Sequence, residues 1–404
     1  MSTAIKNSFM ISCPVIALGV YQSFWLIFLH DNYEPQATEF TIILLVISYI
    51  SFLSSLLYGN YIVFSKDENV LFLSRDNTVN PILRMFFFVA VSIVLFIPSV
   101  KLFVYIMENG YVNIRAVYFS DYDFLFSLYG GKLMMQLSLF VLKPTIYFIF
   151  ILFIISRNNF KAEEVFFIVS LFSFSVATAG RFAIYWIFIV FFLRFLLLRS
   201  VDNLSFRKIA IASVFLFVLS IGILIFRVEQ QSNIFTSLIL SLLEYHAVPI
   251  LLLAEKIDTG LGDAWFIGYP LLSTLSTLPS LFFPLFNIQS INSPVFYFGE
   301  LMNDFSLSSD FTGKSFNAFS TFLIFFYSDF GFLMPIFIFI YVLVLFFTVN
   351  LVAPHLRLAL LLYINVSLFF SLFQSAVFEI GFQFSLVIIL LYSFFYKFYR
   401  KREF

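Results

Sequence analysis

Long apolar runs, free or nearly free of charge, recur at about 9–29, 40–64, 85–107, 133–156, 164–198, 209–226, 233–253, 265–285, 317–349, 357–373 and 380–396. A helix needs ~20 apolar residues to cross a ~30 Å hydrocarbon core, so the pattern predicts a series of spanning helices. Two runs are too long for one crossing. At ~1.5 Å per residue, 164–198 would be roughly 50 Å long, and it is divided at Gly180-Arg181 into two short spans. The run 317–349 is read as one helix that starts outside the bilayer, because Ser328-Asp329-Phe330-Gly331 precedes its most apolar half. The first run carries Pro14 and Trp25 with no small-x-small cleavage site before His30, so it is expected to stay as the first span.

Composition agrees with this pattern and narrows the class. Of 404 residues, 61% are apolar and only 11% charged, against about 25% charged in an ordinary soluble domain. A soluble globule of this size would lack a polar coat, which excludes a cytosolic enzyme. The expected fold is all-α: a polytopic integral membrane helical bundle of about 12 transmembrane helices, with 10 as the alternative. It forms a single transmembrane domain over 1–404 with a large periplasmic region within about 227–330. The two counts differ in whether 233–253 and 265–285 both span or neither does. If both span, Glu255, Lys256, Asp258 and Asp263 make an acidic cytoplasmic loop.

A net charge of zero says little, because in a membrane protein the sidedness of charge matters. With the N-terminus inside, most basic residues fall in the cytoplasm, among them Lys66, Arg75, Arg157, Arg199, Arg207, Lys208, Arg400 and Lys401. Few, including Arg115, Arg181 and Arg227, fall outside. This is the positive-inside bias, and it places both termini in the cytoplasm of a multi-pass protein.

Several chemistries lack their parts. The single cysteine, Cys13, excludes a disulfide framework and cysteine-based metal sites. No Gly-rich phosphate loop, HExxH or GxSxG elbow is present. His30, His246 and His355 are scattered, so no metal is expected. Asp121-Tyr122-Asp123 admits either a substrate or metal role or a plain solvated loop.

Ionisable groups near span ends are the remaining candidates. Arg181 lies at a tight turn where a following inward helix presents free N–H groups. Helix N-terminus and guanidinium together suit a diphosphate; the plainer reading is an arginine that snorkels to the interface. Arg227 ends another span, where a cation is favourable on dipole grounds alone. Glu244, Tyr245 and His246 interrupt an apolar run, which is costly on a lipid face. His246 or Glu244 is suited to take a proton from a sugar hydroxyl, with a structural histidine as the alternative.

From Lys314 the chain reads Lys314-Ser315-Phe316-Asn317-Ala318-Phe319 and then Phe326-Tyr327-Ser328-Asp329-Phe330-Gly331 before a long apolar helix. This segment resembles the C-terminal signature of the Wzy-type O-antigen polymerases, the oligosaccharide repeat-unit polymerases. Ala179-Gly180-Arg181-Phe182-Ala183 is similar to the Gly/Ser-Arg turn of that family, reading Ala-Gly-Arg-Phe where Ser-Arg-Gly is common. The resemblance implies a fold related to the C-type glycosyltransferases and a bacterial inner-membrane enzyme of lipopolysaccharide biosynthesis. Such an enzyme transfers a growing glycan from undecaprenyl diphosphate to a new undecaprenyl-diphosphate-linked repeat unit at the periplasmic face. It implies no cofactor, the lipid-linked oligosaccharide and the bilayer as partners together with a chain-length regulator protein, and no nucleic acid. Arg181, Arg227, Lys314 and Tyr327 would then bind substrate, and His246, Glu244 or Asp329 would act as base. A lipid-linked oligosaccharide flippase, supported by Lys101, Lys132 and Lys143 in or near spans, and an O-antigen ligase are the competing readings.

Overall fold

The computed structural model describes residues 3–66, 81–109, 121–156, 162–177, 182–202, 234–259, 307–310, 315–316, 321–374, 376 and 380–400. Almost all of them are helical. Helices α1 (Thr3–Phe28), α2 (Glu39–Lys66) and α3 (Pro81–Asn109) are followed by α4 (Tyr122–Tyr129), α5 (Lys132–Gln136) and α6 (Lys143–Ser156). Next come α7 (Ala162–Ala177), α8 (Phe182–Asp202) and α9 (Ile234–Thr259). The chain ends with α10 (Leu323–Phe330), α11 (Met334–Leu351), α12 (Arg357–Gln374) and α13 (Ile380–Arg400). Three short strands, β1 (Tyr33–Glu34), β2 (Leu307–Ser309) and β3 (Ser315–Phe316), form one antiparallel sheet in that order.

Among the described residues, six stretches are long and apolar enough to cross a membrane: Thr3–Phe28, Glu39–Lys66, Phe88–Asn109, Leu323–Leu351, Pro354–Phe373 and Gly381–Phe398. The run 164–198 divides as its length requires, α7 ending at Ala177 and α8 starting at Phe182. The run 317–349 is broken at Gly331, whose φ of 53° favours glycine. There Phe330 stacks on Phe337 at 3.6 Å across the break. The runs 209–226 and 265–285 lie outside the described residues.

Polarity is arranged inside out, as lipid requires. On α2 the exposed positions include Phe40, Ile43, Ile47 and Ile50, while Ser48, Ser55 and Asn60 are buried. On α11 the exposed stripe is Phe332, Ile336, Ile340, Val344, Phe347 and Leu351, spaced by three or four so that it follows one helix face. Water would penalise that stripe; hydrocarbon does not. Lipid also removes the hydrophobic drive between helices, which leaves close packing and interhelical hydrogen bonds to hold them.

The chain divides into two compact units. One comprises Met1–Glu68, Phe235–Val352 and Ile364–Phe404, the other Asn69–Ile234 and Ala353–Tyr363. In the second unit an aromatic core links α3, α6, α7 and α8: Phe88, Phe150 and Phe167 lie 5.2–6.4 Å apart, and Tyr147 stacks on Trp186 at 4.3 Å. Asp121 is a helix cap, accepting from the Phe124 amide at 2.9 Å at the start of α4. The solvated-loop reading of Asp121 thus gains a structural reason. Lys101 donates to the carbonyls of Ser127 and Leu128 at the end of α4, the favourable place for a cation.

In the first unit, α2 and α11 run in the same direction. Ser51 Oγ donates to the Pro335 carbonyl at 2.5 Å, and Gly59 packs against Phe346 further along both helices. Asn60 Nδ2 donates to Ser12 Oγ, and Lys397 Nζ donates to the Leu351 carbonyl. The start of α1 and the end of α13 therefore lie at the same end of this unit, and the connection between α1 and α2 lies at the other.

Candidate functional site

Polar side chains in the first unit collect at successive depths. Deepest toward the termini, Asn60 and Asn365 exchange two amide hydrogen bonds of 3.0 Å, and Asn60 also donates to Ser12 Oγ at 3.0 Å and to the Leu56 carbonyl at 3.1 Å. This ties α1, α2 and α12 together. One level up, Gln22 of α1 donates to the His246 carbonyl at 2.6 Å and to the Leu372 carbonyl at 3.1 Å. Its Oε1 accepts from the Tyr49 hydroxyl. Leu372 is in the last turn of α12, where carbonyls have no intrahelical partner. The neighbouring Ser371 carbonyl accepts from the Phe322 amide at 2.9 Å. Gln22 thus fixes four helices around one amide.

Glu244 stands beside this clamp. It is 0% exposed, and the Tyr33 hydroxyl donates to its Oε1 at 3.4 Å. Tyr21, whose hydroxyl donates to the Leu243 carbonyl at 2.8 Å, lies within reach of the Glu244 charge. Trp25 packs between Tyr21 and Tyr33, with ring centroids 6.0 and 6.2 Å away. The result is a buried carboxylate among three amphipathic aromatic rings. His246, two residues on, is half-buried and meets the edge of Phe373 at 5.6 Å.

Across Pro249 the helix is buried from Ala247 to Ile257, including Glu255 and Lys256, which pair at 3.3 Å. In its last turn Asp258 accepts from the Thr38 amide at 2.7 Å, from Thr38 Oγ1 at 2.8 Å and from Thr41 Oγ1. A carboxylate beside the N-terminus of α2 is also favoured by the helix dipole. These bonds correct one expectation. Glu255, Lys256 and Asp258 do not face the termini side as a cytoplasmic loop would; α9 runs toward the α1–α2 connection. The acidic residues gave no warning, because the sidedness rule is carried by Lys and Arg.

The predicted site residues divide between two levels. Glu244 and His246 lie at the Gln22 level. Tyr327, on α10, lies within reach of the Asp258 charge. At ~1.5 Å per residue, Glu244 and Asp258 are roughly 21 Å apart along α9. Asp329 is buried in the same short helix as Tyr327. Arg181, Arg227 and Lys314 fall outside the described residues, as do the aromatic candidates Tyr297 and Phe298. Among the described residues, no three His, Cys, Asp or Glu side chains come together as a metal site. Sequence reasoning passed over Gln22, Tyr33 and Asp258. For Gln22 the available signal was an amide inside an apolar run.

Compared with protein-family models, curated proteins and solved structures, the chain matches none.

Proposed function

We propose that the chain is a membrane glycosyltransferase that polymerises lipid-linked oligosaccharide repeat units, with Glu244 as the base for the acceptor hydroxyl. The observation that carries this reading is the complete burial of Glu244 beside a hydroxyl donor, at 3.4 Å, among helices built to cross a membrane. A fully buried carboxylate is costly unless it is partnered, and such groups cluster at functional sites. The likeness of 326–331 and 179–183 to the repeat-unit polymerases supplies the reaction class. Of the three candidate bases, Glu244 is favoured because an O–H group already meets it.

In this reaction the acceptor hydroxyl oxygen bonds to the anomeric carbon of the growing glycan. The bond from that carbon to the lipid diphosphate breaks, its electron pair leaves on the diphosphate, and the hydroxyl proton passes to Glu244. Arg181 and Arg227 would stabilise the leaving diphosphate, with Lys314 and Tyr327 on the substrate. The donor and acceptor are undecaprenyl-diphosphate-linked, the membrane is the bacterial inner membrane with both termini cytoplasmic, and a chain-length regulator protein is a natural partner. A ten-span arrangement fits best. Asp258 bonds to the α1–α2 connection and β2 pairs with β1, so the end of α9 and the strand Leu307–Ser309 lie at the same end of this unit.

A flippase has one observation in its favour. Lys143, halfway along the run 133–156, lies 6.0 Å from the Tyr147 ring and 5.5 Å from Phe174, directly after a π-helical segment, Leu137–Leu142, and such segments concentrate at functional sites. Deleting the gene separates the two. A polymerase leaves surface glycan of one repeat unit on lipid A core instead of a ladder; loss of all surface repeats, with lipid-linked units trapped inside, points to the flippase.

A further inference from the structure

The connection between α1 and α2 is bound to α9 at two points. At its near end Tyr33 reaches Glu244; at its far end Thr38 and Thr41 hold Asp258. Strand β1 alternates, Tyr33 buried and Glu34 exposed, so the inward residue is the one that meets the carboxylate. The connection is also held from outside. Tyr33 pairs with Ser309 and Glu34 with Ser308, and the Asp310 amide donates to the Asn32 carbonyl at 2.9 Å. These contacts lie within one compact unit.

The two attachments differ in strength. Asp258 accepts two bonds of 2.7 and 2.8 Å and a third from Thr41, charge-assisted and short. The Tyr33 bond, at 3.4 Å, is long for O–H···O, where 2.5–3.0 Å is usual. The phenol stands where an acceptor hydroxyl would approach the carboxylate, a contact that would have to close to about 2.6–3.2 Å before a proton moves.

We infer that the α1–α2 connection is a strap that closes the Glu244 site, and that a sugar hydroxyl of the acceptor takes the place of the Tyr33 phenol when the strap lifts. The ligand class rests on the reading of Glu244 as the acceptor's base; the strap itself rests on the contacts alone. Asp258 ties one end of the strap and the Tyr33–Glu244 contact latches the other, so lifting the strap uncovers the carboxylate. A hydroxyl then meets it beside Tyr21 and Trp25, aromatic faces suited to a sugar ring.

The test is the reactivity of Glu244→Cys, in a Cys13→Ser background, toward the charged thiol reagent MTSET in proteoliposomes. Asp258→Ala releases the strap roughly 21 Å from the thiol without hollowing its surroundings, and should raise the modification rate at least tenfold. Thr38→Val with Thr41→Val removes the two hydroxyl donors, keeps Asp258 in place and should give the same direction. An unchanged rate in both overturns the strap. A second arm uses wild-type Glu244. Cysteines at Glu34 and Ser308, paired across the sheet, should form a disulfide that stops chain extension until dithiothreitol restores it; extension that continues through the lock while Glu244→Gln abolishes it also overturns the strap. If release speeds modification while Glu244→Gln still makes full ladders, the strap stands and the base assignment falls.

Discussion

Two buried polar layers of the same unit differ in kind. The Asn60–Asn365–Ser12 layer, toward the termini, is neutral, reciprocal and closed, with bonds of 3.0 Å and every member on a helix. The Glu244 layer is ionisable, and its hydroxyl partner comes from a strand in a connection, at 3.4 Å. In a bilayer, a satisfied amide pair is a way to hold helices that have no hydrophobic drive to associate. A carboxylate is a poor way to do that, since its burial costs far more than an amide's. On the proposed function, the first layer serves structure and the second serves chemistry.

Exchanging the two kinds of group breaks the comparison most sharply. Asn60→Asp removes the bonds donated to Asn365, Ser12 and the Leu56 carbonyl and buries a charge in a layer built for amides, a loss of about 3–5 kcal/mol; the protein should fail to accumulate in membranes. A charge tolerated there would erase the distinction between the layers. Close packing beside the amide layer should matter next. A Cβ on Gly59 would fall 2.3 Å from a ring carbon of Phe346, so Gly59→Ala should cost about 1–3 kcal/mol by overpacking, and Phe346→Leu should restore much of the melting temperature in detergent. The smallest effect comes from removing the polar members together. Asn365→Leu alone strands part of Asn60 and should cost about 1–3 kcal/mol, while Asn60→Leu and Asn365→Leu together with Ser12→Ala should approach the wild type, because all three polar members leave together. Additive losses in the triple variant, read from the same melts, would mean that the layer is not a closed set.

The helices were legible because lipid crossing is a local property. The runs 40–64, 357–373 and 380–396 return as α2, α12 and α13 with ends shifted by a few residues. The run 317–349, read as one helix, instead breaks after Phe330, where Gly331 adopts a positive φ. Glu244 was visible as a charge in an apolar run. What surrounds it was not. Tyr33 and Glu244 are 211 positions apart, and the β1–β2 pairing joins strands of two and three residues, too short for alternation to show. Gln22, Tyr49 and Leu372 meet only once four helices are assembled. The direction of α9 was also hidden, since its second half carries mainly acids and a lone Lys256 paired to Glu255, which the sidedness rule does not read.

The central claim is that Glu244 is chemical and the amide layer beneath it is not. It is tested most directly by the glycan ladder made by Glu244→Gln in the native host at matched membrane levels. Glutamine keeps the shape and still accepts from Tyr33, so the protein should insert and melt as the wild type does. Without a base, chain extension should fall by about 10²–10⁴, leaving single repeat units. Full-length ladders from Glu244→Gln would contradict the account and make Glu244 a buried structural carboxylate.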